Sequence, residues 1–211
     1  MIKEFYMLTH KKLRTHYEKE KDTIKKRLKE FSANGKDLDP EGLFTELCFC
    51  ICTPQSKAVK VAEVIHLGNS AKLLSMDHAQ LSEFLKKNTR FHNTKAKHII
   101  HARKYLSELS SLPKDSLKAR EFLVKNIKGI GYKESSHYLR NIGYRNLCIV
   151  DRHVINLMHE LGVFKDASNP STPKRYLDME QKIKDYAKAH GYDVDELDLA
   201  LWSVKTGHVF K

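Results

Sequence analysis

Residues 128–141 read KGIGYKESSHYLRN. Here Gly129-Ile130-Gly131 separates two amphipathic runs, and Lys133 follows the break after only one intervening residue. Glycine enters the left-handed backbone region without a Cβ clash. Gly129 and Gly131 can therefore adopt positive φ, so that GIG can turn the chain tightly and leave backbone N–H groups bare at the start of the next helix. Such amides can hold a phosphate; a plain interhelical turn is the alternative for a Gly-x-Gly taken alone. Lys133 falls in the first turn of the second helix, where the macrodipole is positive and a cation is disfavoured by about 0.3–1 kcal/mol. A solvated surface lysine tolerates that position. A nucleophilic lysine benefits from it, because only the neutral amine reacts and about one unperturbed lysine in a thousand is neutral near pH 7.4.

A second stretch, IVDRHVINL at 149–157, puts Asp151 eighteen residues after Lys133 and directly before an amphipathic run. Aspartate is a favoured N-cap, and capping alone accounts for it. A cap uses one carboxylate oxygen, which leaves the other to face a cleft, and the helix N-terminus favours the ionised form.

The rest of the chain reads as helices with no convincing alternating strand, so the predicted class is all-α. Asp39-Pro40 opens a helix to about Cys52, Pro54 stops it, and Ser56 begins another. Asp77 to Lys87, Thr94 to Leu109 and Ser116 to Ile127 follow; Asp151, Thr172-Pro173 and Asp195 start the last three. In LFTELCFCIC, residues 43–52, Cys48 and Cys52 share the apolar spacing of a core helix. With Cys50 and Cys148 they match no zinc or iron–sulfur spacing, so reduced thiols and no metal or other cofactor are expected. Thirty-eight lysines and arginines against 26 aspartates and glutamates give a formal net charge of +12 over 211 residues, which points to a polyanion, nucleic acid above all. No apolar run approaches the roughly 20 residues of a membrane span, and the N-terminal MIKEFYMLTHKKLRTHYEKE lacks a signal-peptide core. The expected location is the cytoplasm, in association with the nucleoid.

GIGYK followed by IVDRHV resembles the helix-hairpin-helix base-excision DNA glycosylases, with their G-x-G-x-K and V-D-x-H signatures, and is most similar to the archaeal-type 8-oxoguanine DNA glycosylase/AP lyases. FTELCFCICTPQSKA, NTKAKHIIHARKYL, REFLVKNIKGIGYKESSHYLRNIGY and ELDLALWSVKTG extend the resemblance over most of the chain. Lys128 stands where many relatives carry proline and Ser135 where many carry alanine. There is no C-terminal cysteine cluster of the kind typical of the endonuclease III branch.

The resemblance implies one glycosylase domain, 1–211, made of two helical lobes around a DNA-binding cleft, with the helix-hairpin-helix at about 117–142. It implies a monomer that acts on double-stranded DNA containing 8-oxoguanine, with Lys133 forming a Schiff base and Asp151 assisting. Gln55 would fill the space left by the extruded base, and Gly129, Gly131 and His153 would contact phosphate. Phe91 and Trp202 would stack on the base, with Asp198 and the carboxylate of Lys211 as its hydrogen-bond partners. An endonuclease III-like glycosylase for oxidised pyrimidines, or a helix-hairpin-helix module that binds DNA without chemistry, are the alternatives.

Overall fold

The computed structural model describes residues 7–210; Lys211 lies outside the described residues. It contains α1 (His10–Asp37), α2 (Pro40–Cys52), α3 (Ala58–His66), α4 (Ser70–Ser75), α5 (His78–Lys86), α6 (His92–Ala102), a 3-10 turn (Arg103–Tyr105) and α7 (Leu106–Leu109). These are followed by α8 (Ser116–Asn126), α9 (Tyr132–Asn141), α10 (Arg152–Glu160), α11 (Pro173–Ala189) and α12 (Val194–Thr206). No strand occurs among the described residues, so the predicted all-α class holds. The chain divides into two compact units, one comprising Ser32–Tyr144 and the other the described residues up to Phe31 and from Arg145 onward.

The central unit is built round α2. Asp39 caps it by accepting from the Gly42 amide at 2.7 Å, Pro40 occupies its first turn, and every residue from Leu43 to Cys52 is buried. A helix that is apolar on all sides belongs in an interior, and α3, α4, α6, α7 and α9 pack against it. Removing a side chain such as Leu47, which is wholly enclosed, would cost about 2–5 kcal/mol. The four cysteines are free and buried; burial pushes the Cys48 thiol up and Cys52 to about 12, as suits unreactive core side chains. Of the buried polar residues of α2, Glu46 accepts from Asn141 Nδ2 at 2.7 Å, while Asn34 Nδ2 donates to the Asn141 carbonyl. A methyl at Gly35 would lie 2.1 Å from the Ile142 carbonyl oxygen, so only glycine lets the end of α1 meet the end of α9.

In the other unit, Leu13, Tyr17, Ile24, Leu28 and Phe31 form the buried stripe of α1. Its distinctive feature is the buried irregular segment Leu147–Val150, which has no sheet to satisfy its backbone. Side chains of α11 and α12 do so instead. Cys148 N donates to Glu180 Oε1 (3.0 Å), Ile149 N to Asp198 Oδ1 (2.8 Å) and Val150 N to the Tyr176 hydroxyl (3.2 Å), which itself donates to the Cys148 carbonyl (2.8 Å). Asn146 N is held by both carboxylate oxygens of Asp195 at 3.0 Å. Buried amides left without acceptors would each cost about 1–3 kcal/mol, which explains the acidic residues inside this unit.

Several boundaries differ from expectation. The third helix begins at Ala58 rather than Ser56, because Thr53–Ser56 closes a turn with Ser56 N donating to Thr53 O at 2.9 Å. The predicted helix from Thr94 to Leu109 starts earlier, at His92, and is broken by the 3-10 turn. The last helix is capped by Asp193, which accepts from the amides of Asp195 and Glu196, and Asp195 is thereby released to hold Asn146.

Candidate active site and nucleic-acid interface

The hairpin comprises α8, the turn 127–131 and α9. Arg120, fully buried in α8, donates to Ser136 Oγ of α9 at 3.2 Å and lies 5.3 Å from the Tyr132 ring, whose hydroxyl donates back to Glu121 Oε1 at 2.8 Å. These contacts lock the two helices on either side of the glycines. Gly129 has φ +82 and its α-carbon lies against His98, where an added methyl would meet Nδ1 at 2.0 Å. Gly131, also free to adopt positive φ, does not use that freedom: it has φ −102 and ψ −169, which any residue adopts. Its amide was expected to be bare, yet it donates to Glu134 Oε2 at 3.3 Å. The reason for both differences is local: Gly129 alone turns the chain, and Glu134, three residues into the helix, reaches back to the open amide.

Lys133 stands in the first turn of α9, as expected, with its side chain half-buried. The second carboxylate oxygen of Glu134 pairs with Lys133 Nζ at 2.9 Å. One carboxylate therefore touches both the hairpin amide and the lysine, a contact that the helix-dipole argument alone did not anticipate.

Asp151 caps α10, accepting from Val154 N at 2.8 Å through Oδ1 only. It follows directly on the segment anchored by Glu180, Asp198 and Tyr176, and His153 sits half-buried in the first turn beyond it. Lys133 belongs to the Ser32–Tyr144 unit and Asp151 to the other.

Gln55 is exposed at φ +56 and Phe91 is 55% exposed at φ +57, immediately before α6. Non-glycine residues in that region cost on the order of 1 kcal/mol each and persist where the surroundings enforce them. Both belong to the unit that carries Lys133. In the other unit Trp202 is half-buried on α12, stacked with Phe210 (centroids 6.3 Å apart) and edge-on to His208 (6.1 Å). Asp198 is 2% exposed, with Oδ1 occupied by the Ile149 amide. No cluster of three or more histidines, cysteines or acids able to hold a metal occurs among the described residues, and no helix there is long and apolar enough to cross a membrane.

Residues 24–192 match the family described as 8-oxoguanine DNA glycosylase. A Fusobacterium nucleatum protein named 8-oxoguanine DNA glycosylase/AP lyase is 37% identical over 205 residues, covering 92% of this chain and 94% of its own. The crystal structure of the 8-oxoguanine DNA glycosylase of Thermotoga maritima superposes with a TM-score of 0.89 at 35% identity, covering 95% of this chain and 97% of that one. The Methanocaldococcus jannaschii 8-oxoguanine glycosylase/lyase in complex with a 15mer DNA containing 8-oxoguanine gives 0.87 at 34% identity, covering 94% and 99%. The chain belongs to the 8-oxoguanine DNA glycosylase family.

The family resemblance read from GIGYK and IVDRHV is thus borne out. Within this member of the family, three features of the site escaped the sequence. Glu134 had a signal, since a glutamate three residues after a helix start suits a return bond to the first amide. His208 and Phe210 flank Trp202 from beyond the last helix, where no periodicity marks them. Lys95, inside NTKAKHII, is buried, and nothing in the local sequence marks it.

Proposed function

We propose that the protein removes 8-oxoguanine from double-stranded DNA and then cleaves the strand at the abasic site, acting as a monomer associated with the nucleoid. Family membership over most of the chain supports the substrate, and the observation that carries the chemistry is Lys133 in the first turn after the hairpin. In this reading the amides at the start of α9, which lack backbone acceptors within the helix, grip a phosphate, with His153 as a further contact. The damaged nucleotide is turned out of the duplex, Gln55 fills the space it leaves, and Phe91 and Trp202 stack on the base.

Lys133 rests as an ion pair with Glu134, so attack requires that pair to open and a proton to leave the amine. The nitrogen then bonds to C1′ as the glycosidic bond breaks, and the base departs with a proton. Opening of the sugar ring gives the Schiff base; loss of a C2′ proton and departure of the 3′ phosphate cut the strand. Asp151 stabilises the cationic sugar through its carboxylate at the start of α10.

The test is covalent trapping. Borohydride added to enzyme and an 8-oxoguanine duplex is expected to yield an enzyme–DNA adduct. Lys133→Gln should abolish adduct and cleavage while leaving DNA affinity within about threefold, because the amides remain and only one positive charge of the net +12 is lost. Efficient trapping by that variant would assign the nucleophile to another amine.

A further inference from the structure

Lys95 on α6 is 5% exposed, and its ammonium donates to the carbonyl oxygens of Cys52 (2.7 Å) and Pro54 (2.8 Å) and to Ser56 Oγ (2.9 Å). A buried ammonium is tolerated where its donors are met, and three acceptors here match three N–H bonds. Two of them lie at and just beyond the C-terminus of α2, the end of a helix that favours a cation. Ser56 Oγ also accepts from Arg90 N at 2.9 Å. The ammonium and this hydroxyl therefore tie together two turns that are 34 residues apart in sequence.

The first turn, Thr53–Ser56, holds Gln55 at φ +56; the second ends in Phe91 at φ +57. Each is an exposed side chain in a backbone region that its residue type rarely adopts, so something must enforce both. Lys95 is the group bonded within the first turn and, through Ser56, joined to the second. Burial first, and among nearby cations Arg90 and Lys133, push the Lys95 ammonium below its ordinary range; Lys133 is thus close enough to be felt.

The geometry points to Lys95 as a positioning residue that holds Gln55 and Phe91 in the shape required to open the duplex, so that base excision depends on it and cleavage of a preformed abasic site does not. This rests on the proposed roles of Gln55 and Phe91. An abasic site has no base to extrude, whereas 8-oxoguanine must be unstacked and its space filled.

The experiment compares single-turnover excision of 8-oxoguanine with cleavage at a preformed abasic site for Lys95→Met, Ser56→Ala, Gln55→Ala and Phe91→Ala. Fluorescence of a 2-aminopurine beside the lesion reports unstacking. Lys95→Met is expected to slow excision by about tenfold or more and to lose the fluorescence rise, with abasic-site cleavage within about threefold of the parent, since misplacing a contact far from the bond can cost factors of this size. Ser56→Ala should shift the same way, and it decides the matter by the same criterion if Lys95→Met fails to fold. Unchanged excision, or equal loss of both activities in a folded variant, overturns the role of Lys95. If Gln55→Ala and Phe91→Ala excise normally, the reading on which the inference rests falls; if they are impaired while Lys95→Met is normal, only Lys95 is removed.

Discussion

At Gly129 the backbone stands at φ +82 and a methyl would lie 2.0 Å from His98 Nδ1, whereas at Gly131 φ is −102 and the nearest atom to a methyl, Glu134 Oε2, is 3.5 Å away. The two glycines are therefore needed for different reasons. Gly129→Ala strains the turn and displaces His98, and should lower stability by about 1 kcal/mol or more. Gly131→Ala should leave stability within about 0.5 kcal/mol but weaken DNA binding severalfold if, as proposed, a phosphate approaches this amide, because the methyl would stand in its way. Urea unfolding and a DNA titration of the two variants separate these effects; equal destabilisation by both would refute the distinction. Glu134 belongs to the same small neighbourhood: it accepts from the Gly131 amide and pairs with Lys133, so in the proposed complex a phosphate at that amide would compete with the carboxylate that also holds Lys133.

The segment Leu147–Val150 shows how side chains of helices α11 and α12 support the backbone that leads into Asp151. Its amides are taken up by Glu180, Asp198 and Tyr176, and the chain then enters Asp151 and α10. Asp198 was expected to contact the base; its position, 2% exposed with Oδ1 on Ile149 N, supports a role in fixing the approach to Asp151. Asp198→Ala should cost about 1–3 kcal/mol in unfolding measurements, since it leaves a buried amide without its acceptor, and Asp198→Asn, which keeps an acceptor oxygen, should recover most of that. If Asp151 serves both chemical steps, as proposed above, excision and abasic-site cleavage should fall together in Asp198→Ala. Loss of excision alone would return Asp198 to the base pocket.

Across both units, His16, His98, His101 and His190 are each held below the ordinary histidine value of 6.5, chiefly by desolvation. A histidine held low in the folded chain is neutral at a pH where the unfolded chain already binds a proton. Unfolding therefore takes up protons once the pH falls below about 6.5, and stability declines from there. The melting temperature should be nearly level from about pH 7 to 8 and drop steadily between about pH 6.5 and 5. Proton uptake on unfolding in that window, measured from unfolding heats in buffers of different ionisation enthalpy, checks the sign. A melting temperature that rises on acidification over the same range would contradict it.

Local rules reach a long way in this chain. Periodic apolar residues with Asp39, Asp77, Asp151 and Thr172 before them mark helices and their starts, because capping and amphipathicity are short-range effects. The GIG turn and the lysine after it are adjacent in sequence, so the hairpin and the candidate nucleophile could be read directly. The direction of a side chain from a buried helix could not, since that depends on which distant backbone groups lack partners. Asp195 and Asp198, on a helix 49 residues away, face inward because the amides of Asn146 and Ile149 need acceptors. Lys95 is buried because the end of α2, some 40 residues earlier, offers carbonyl oxygens to its ammonium. Gln55 and Phe91 stand at positive φ for the same reason: their conformations are enforced by hydrogen bonds between segments that meet only in the folded chain, so the residues were visible in the sequence while the shape they adopt was not.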